Sequence, residues 1–166
     1  GRETGGLANM LAAHLELTDP THRAAVQAFW KSGPVACKPG LKAVDLFDAC
    51  ARGRIKALWV MSTNPAVSMP DANRVRDAIA ACDFVVVSDI FPDTDTAKLA
   101  DVILPATAWG EKSGTVTNSD RTISRQRPFL PAPGQARPDW QIICDVASAM
   151  GWPDAFNFRT PCEIFR

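Results

Sequence analysis

Three short, uninterrupted apolar runs constrain the chain more than anything else in its sequence. Leu58-Trp59-Val60-Met61 lies within the stretch from Ile55 to Met61, Phe84-Val85-Val86-Val87 follows, and Val102-Ile103-Leu104 is the third. Each is strand-sized and closed by chain breakers: Ser62-Thr63-Asn64-Pro65, Ser88-Asp89 and Pro105. A strand apolar at consecutive positions suits burial on both faces, the condition of a parallel sheet's interior. Between the first two runs a helical pattern fits from about Asp71 to Cys82. It places Val75, Ala78, Ile79 and Cys82 on one face and Arg74, Arg76 and Asp77 on the other. A short helix fits from Asp93 to Ala100. Strand, helix, strand, short helix, strand predicts an α/β fold: an open, mostly parallel sheet with helices on both faces.

The flanking segments read as helices and loops. Asp19-Pro20 is an N-cap followed by proline at the first helical position, and Ala25, Val26, Phe29 and Trp30 supply an apolar stripe before Ser32-Gly33-Pro34. A second helix carries Val44, Phe47, Cys50 and Ala51 on one face, with Gly53 at its end. From Ala106 to Pro138 the residues are mainly polar and turn-forming, which predicts a long surface segment, and such segments tend to be functional. Asp139 opens a last helix with Trp140, Ile143, Ala147 and Met150 inward and Gly151 as its stop. No internal repeat is visible. The expectation is one domain over residues 1–152 and a linker or frayed end over 153–166.

Composition narrows the classes. The 166 residues are 46% apolar and 22% charged, as in soluble globular proteins. Eighteen basic residues balance 18 acidic ones, which argues against a nucleic-acid partner. No apolar run approaches the roughly 20 residues of a membrane helix. The five cysteines (Cys37, Cys50, Cys82, Cys144, Cys162) form no C-x-x-C pair and read as buried free thiols of a reducing, cytoplasmic compartment rather than metal ligands. His14 and His22 lack a ligand set around them. The chain opens Gly1-Arg2-Glu3-Thr4-Gly5-Gly6, with no Met and no leader pattern, and so reads as an excerpt of something longer.

In an open α/β sheet ligands bind beyond the carboxyl ends of the strands. Ser62-Thr63-Asn64-Pro65 at the first end can bring an amide and backbone N–H groups against a phosphate or base, and Ser88-Asp89 at the second adds a carboxylate for ribose hydroxyls or a guanine edge. Helix caps and turns would use the same residues. Lys112, in Glu111-Lys112-Ser113-Gly114-Thr115, can serve as a point charge for phosphate or as a solvated turn residue. Asp139 suits either a ligand or the dipole of its own helix. Arg121, Arg125, Arg127 and Arg137 read as a solvated basic stretch, and Glu111 shows no partner for acid–base work. The glycine fingerprint of dinucleotide folds, the phosphate-binding P-loop, G-x-S-x-G and H-E-x-x-H are all absent. The residues therefore point to a nucleotide-type binding domain with no catalytic residue of its own in view.

Several motifs in order resemble the molybdopterin-dependent oxidoreductases. They are Gly1-Arg2-Glu3-Thr4-Gly5-Gly6-Leu7-Ala8-Asn9; Ala57 to Ser68; Val87-Ser88-Asp89; Thr96 with Ala100-Asp101-Val102-Ile103-Leu104-Pro105; and Glu111-Lys112-x-Gly114-Thr115-x-x-Asn118. The similarity runs from Gly1 to about Trp152. It is greatest to the nitrate-reducing branch, with formate dehydrogenases as the alternative; a free-standing, non-catalytic nucleotide-binding module is a further one. The resemblance implies a Rossmann-like domain that holds part of a molybdenum bis(molybdopterin guanine dinucleotide). It implies Asn64, Ser88, Asp89, Lys112 and Asp139 as cofactor-binding residues and Arg2 near the mouth of the molybdenum pocket. The family's [4Fe–4S] cysteine cluster, its molybdenum-ligating segment and its C-terminal domain have no match here. The implied partners are the remaining domains of the same large subunit, an electron-donor protein or subunit, and nitrate.

Overall fold

A computed structural model describes residues 10–165. Helices α1 (Pro20–Trp30) and α2 (Ala43–Ala51) precede strand β1 (Ala57–Met61). The short α3 (Pro65–Ser68) and the longer α4 (Ala72–Ala80) lead to β2 (Phe84–Asp89) and β3 (Val102–Pro105). Strands β4 (Gly114–Thr117) and β5 (Ile123–Gln126) follow, then α5 (Asp139–Ala149) and α6 (Pro161–Phe165). The chain divides into two compact units, Gly1–Lys56 with Met69–Cys82, and Ala57–Ser68 with Asp83–Arg166.

In the first unit, local chemistry sets the helix ends. Asp19 Oδ1 accepts from the Thr21 and His22 amides at 2.7 and 3.3 Å, and Pro20 occupies the first helical position of α1. Both amides would otherwise lack intrahelical partners. At the other end of α2, Gly53 adopts φ +66°, its N–H donating to Cys50 and that of Arg54 to Ala49. This paired closure needs a left-handed residue, which glycine adopts without Cβ strain. Helices α2 and α4 pack together, joined at the surface by Arg74 Nη2 to Asp48 Oδ1 at 2.8 Å. Phe47, Cys50, Val75, Ala78 and Ile79 are buried as the periodicity predicts. Two stripes are narrower than expected. Only Val26 of α1 is buried, because the Leu11–Leu17 cluster it joins is small, and Phe29 remains 85% exposed. Val44, in the first turn of α2, is also exposed.

In the second unit the three strands form one parallel sheet in the order β1-β2-β3. The register pairs Ala57 with Phe84 and Met61 with Ser88, then Val86 with Val102 and Asp89 with Pro105. Asp101 ties the start of β3 to β2: its Oδ2 accepts from the Val85 amide at 2.7 Å and its N–H donates to the Val85 carbonyl. The expected burial of all three runs is met only in part, and best in the middle strand. Val85 and Val87 are buried while Phe84 is exposed; β3 leaves Val102 and Ile103 exposed and β1 buries only Val60. An edge strand has a neighbour on one side only, so apolar composition alone does not bury it.

Three further differences belong to this unit. The segment from Asp93 to Ala100 forms a 3₁₀ turn at Ala97–Leu99 rather than an α-helix. The segment from Ala106 to Pro138 contains an antiparallel hairpin of β4 and β5. Its turn is held by Asn118 Oδ1 accepting from Asp120 and Asp120 Oδ1 accepting from Thr122. Finally, α5 buries Ile142, Cys144 and Ala147 and exposes Ile143, and Met150 at its C-cap is exposed too. The helix is apolar at Trp140, Ile142, Ile143, Val146 and Ala147, so its sequence marks no single stripe and the packing selects one. It closes as α2 does, with Gly151 at φ +95° donating to Ser148 and Trp152 to Ala147. Among the described residues no helix is long and apolar enough to cross a membrane.

Candidate functional site

A parallel sheet ends all its strands on one edge, and that edge here borders a cleft of about 410 Å³. The size is within the range of small-molecule sites. Asn64 comes from the turn after β1, Asp89 from the last position of β2, Lys112 from the segment after β3, and Asp139 from the start of α5. Four of the residues singled out from the sequence are thus brought to one place.

Their partners differ. Asn64 Oδ1 accepts from Thr96 Oγ1 at 2.6 Å and from the Thr96 amide at 3.2 Å, and Thr96 Oγ1 accepts from the Ala66 amide at 3.1 Å. Thr96 is fully buried, so this chain of bonds fastens the β1 turn to the segment after β2. It leaves the Asn64 amide nitrogen without a protein partner among the described residues. Asp89 Oδ1 accepts from the Ile90 amide at 2.7 Å and more weakly from Phe91 at 3.4 Å. Its second oxygen has no protein partner among the described residues. Lys112 Nζ donates to Asp139 Oδ2 at 3.0 Å, and Ser62 Oγ lies 3.4 Å from Asp139 Oδ1.

Ser88 is placed differently. It is buried, it does not line the cleft, and its hydroxyl oxygen accepts from the Trp59 indole N–H at 2.8 Å. Its carbonyl accepts from the Ser62 amide at 2.9 Å, which helps hold Ser62 at the left-handed φ of +55°. For a non-glycine residue that conformation is uncommon and depends on surrounding bonds. Arg2 lies outside the described residues. Arg137, read as part of a solvated basic stretch, pairs with Asp145 at 2.6 Å, and Glu111 accepts from the Ala108 amide at 2.7 Å. No group of His, Cys, Asp and Glu among the described residues could hold a metal ion.

Two residues of this region were not among the expected site residues. Thr96 entered only as part of a family motif, and its partners lie 30 and 32 positions away. Thr107, fully buried in the cleft wall, has an Oγ1 with no hydrogen-bond partner among the described residues. Buried hydroxyls are nearly always bonded, so an orphan at a cleft calls for an additional polar group.

A parallel α/β sheet with a cleft at its carboxyl edge is the arrangement in which open α/β folds place their ligands. The chain belongs to the molybdopterin oxidoreductase family, whose model matches residues 2–149. Membership implies a molybdopterin cofactor carrying molybdenum. A nitrate reductase of Klebsiella oxytoca is 53% identical over 99% of this chain and 19% of its own length. One of Shewanella frigidimarina is 54% identical over 99% and 17%. An F420-dependent formate dehydrogenase subunit alpha of Methanocaldococcus jannaschii is 38% identical over 98% and 24%. The chain therefore spans about a fifth of the length of the curated relatives it matches. Among solved structures, acetylene hydratase from Pelobacter acetylenicus shares the fold, with a TM-score of 0.65 and 23% identity over 99% of this chain and 23% of that one.

Proposed function

We propose that this chain holds part of a molybdenum bis(molybdopterin guanine dinucleotide) in the catalytic subunit of a nitrate reductase. The observation that carries the reading is the convergence of Asn64, Asp89, Lys112 and Asp139 on one cleft at the strand ends. The unsatisfied groups there suit a guanosine end. Asp89 Oδ2 can accept from the N1–H and N2–H₂ edge of guanine or from ribose hydroxyls. The Asn64 amide nitrogen can donate, and the orphan Thr107 hydroxyl can do either. Lys112, held by Asp139, supplies a positive charge for phosphate and is itself paired within the protein. Ser88 acts as a positioning residue through Trp59 and Ser62. Arg2 is assigned to the mouth of the molybdenum pocket.

When bound, the molybdenum centre would supply oxygen-atom transfer, nitrate with two electrons and two protons giving nitrite and water. This chain's part is to bind and orient the dinucleotide. The reading includes a [4Fe–4S] centre held elsewhere in the same large subunit, an electron-donor protein or subunit, and a cytoplasmic location. It assigns residues 1–152 to the binding domain and 153–166 to a linker. Identity of 53–54% to two nitrate reductases, against 38% to the formate dehydrogenase subunit, supports nitrate over formate. The test is to purify the full-length protein that carries this sequence and measure molybdenum, released guanine, and turnover of nitrate and of formate with an artificial redox partner. Molybdenum and guanine together with nitrate reduction are expected. Absence of guanine would overturn the site, and formate oxidation without nitrate reduction would overturn the substrate.

A further inference from the structure

We infer that Phe91 and Trp109 are base-stacking residues, giving the cleft aromatic walls for the flat face of a purine; this rests on the nucleotide reading above. Both line the cleft, and both are largely in water, Phe91 at 58% and Trp109 at 63% exposure. A large aromatic ring gains much from leaving water, so a ring left in it at the wall of a cleft marks a contact surface.

The backbone under each ring is tied down. The Ile90 and Phe91 amides both donate to Asp89 Oδ1, so the carboxylate that faces the cleft also pins the turn carrying Phe91. Trp109 begins a 3₁₀ turn, Trp109–Glu111, closed by the Glu111 carboxylate on the Ala108 amide. The Gln126 side-chain amide donates to the Trp109 carbonyl, and the Phe129 and Leu130 amides donate to the Gly110 carbonyl at 2.9 and 3.0 Å. At Gly110 a Cβ would stand 2.7 Å from the Phe129 ring, so the turn and the ring beside it fit closely. Each aromatic is thus an exposed side chain on a braced backbone, a preformed surface whose ordering cost is largely met before binding.

The chemistry of the neighbours selects a planar heteroaromatic ligand. Asp89 presents an acceptor to ring N–H groups and Lys112 a cation to phosphate, which together describe a nucleotide. A base carries polar edges and two apolar faces. The edges go to the carboxylate and amide, and the faces need aromatic partners, because stacking tolerates the ring's identity while edge bonds read it.

The experiment titrates the cofactor-free, full-length protein with GMP and, separately, with ribose 5-phosphate, by calorimetry. Phe91→Leu and Trp109→Leu keep apolar bulk and remove the aromatic face; Phe91→Tyr and Trp109→Phe keep it. Each Leu variant is expected to bind GMP about 5- to 150-fold more weakly, the range of a lost base stack, while the aromatic replacements stay within about threefold of wild type. Ribose 5-phosphate, lacking the base, should bind every variant as it binds wild type, which also shows that the variants are folded. Leu variants that bind GMP as tightly as wild type would overturn the stacking assignment alone. A wild-type protein that binds neither ligand would overturn the nucleotide reading and this inference with it.

Discussion

Lys112 Nζ and Asp139 Oδ2 stand 3.0 Å apart, with both side chains less than a third exposed, across 27 positions of sequence. The pair joins the segment after β3 to the first turn of α5. It explains how a lysine and a carboxylate that each looked ambiguous in sequence share one cleft: each neutralises the other.

Lys112→Met separates the two roles of that lysine. A partly exposed ion pair contributes at most about 1 kcal/mol, and Asp139 keeps its helix-dipole stabilisation in the variant. Thermal stability should change little, while guanine and molybdenum per purified full-length protein should fall. Unchanged cofactor content beside an unchanged melt would return Lys112 to a solvated turn residue.

Asp89→Asn tests the carboxylate itself. An asparagine Oδ1 can still accept from the Ile90 amide, so the turn survives, but the negative charge is lost and an N–H₂ is offered to a donor edge. Binding of GMP by the cofactor-free protein should weaken by about 1–3 kcal/mol, the cost of a mismatched buried hydrogen-bonding group. Asp154→Asn, an exposed carboxylate outside the family match, is the control and should bind as wild type does. Equal affinities in all three proteins would take Asp89 out of the site.

Asn64 has a structural duty that any binding experiment must separate out. Asn64→Ala removes the acceptor of two Thr96 donors, one of them a fully buried hydroxyl. Unfolding free energy should drop by about 1–3 kcal/mol even without cofactor. Thr96→Val should cost a similar amount, because it strands the Ala66 amide. The double variant should lose less than the sum of the two single losses, as expected for residues in one network. Additive losses in denaturant melts would show the bonds to be independent.

Cys50 predicts the alkaline limit. Burial, and then a hydrogen bond to the neighbouring Cys82 thiol, push its pKa from an ordinary 9.0 up to about 12. Between those values the unfolded chain ionises and the folded one does not, so stability is full below about pH 9 and falls as pH rises toward 12. The slope from this group is about 1.4 kcal/mol per pH unit. Urea midpoints measured at pH 8 and pH 10.5 should diverge more for wild type than for Cys50→Ala. Equal divergence would show that Cys50 is not the group responsible.

The identity of most elements was legible because their determinants are local. Asp19-Pro20, the α4 periodicity and the Gly53 and Gly151 stops each act within one or two helical turns, where capping and backbone sterics decide. The three apolar runs likewise declared strands. The β4–β5 hairpin was legible in principle, since Asn118-Ser119-Asp120 between Thr-Val-Thr and Ile-Ser-Arg is a turn signal, but the polar surroundings obscured it.

What the sequence determined by itself was the class, a parallel α/β sheet with polar residues at its strand ends, because strand length, breakers and helix periodicity are properties of neighbouring residues. Only the tertiary structure decided which strand is central and buried and which face of α5 turns inward. It also decided that Asp139 closes on Lys112 and Asn64 on Thr96, and that Ser88 faces Trp59 rather than the cleft. Each of those outcomes is a contact between residues 27 to 32 positions apart or a choice among equally apolar surfaces. No local pattern encodes such contacts, because their free energy exists only once the elements have packed.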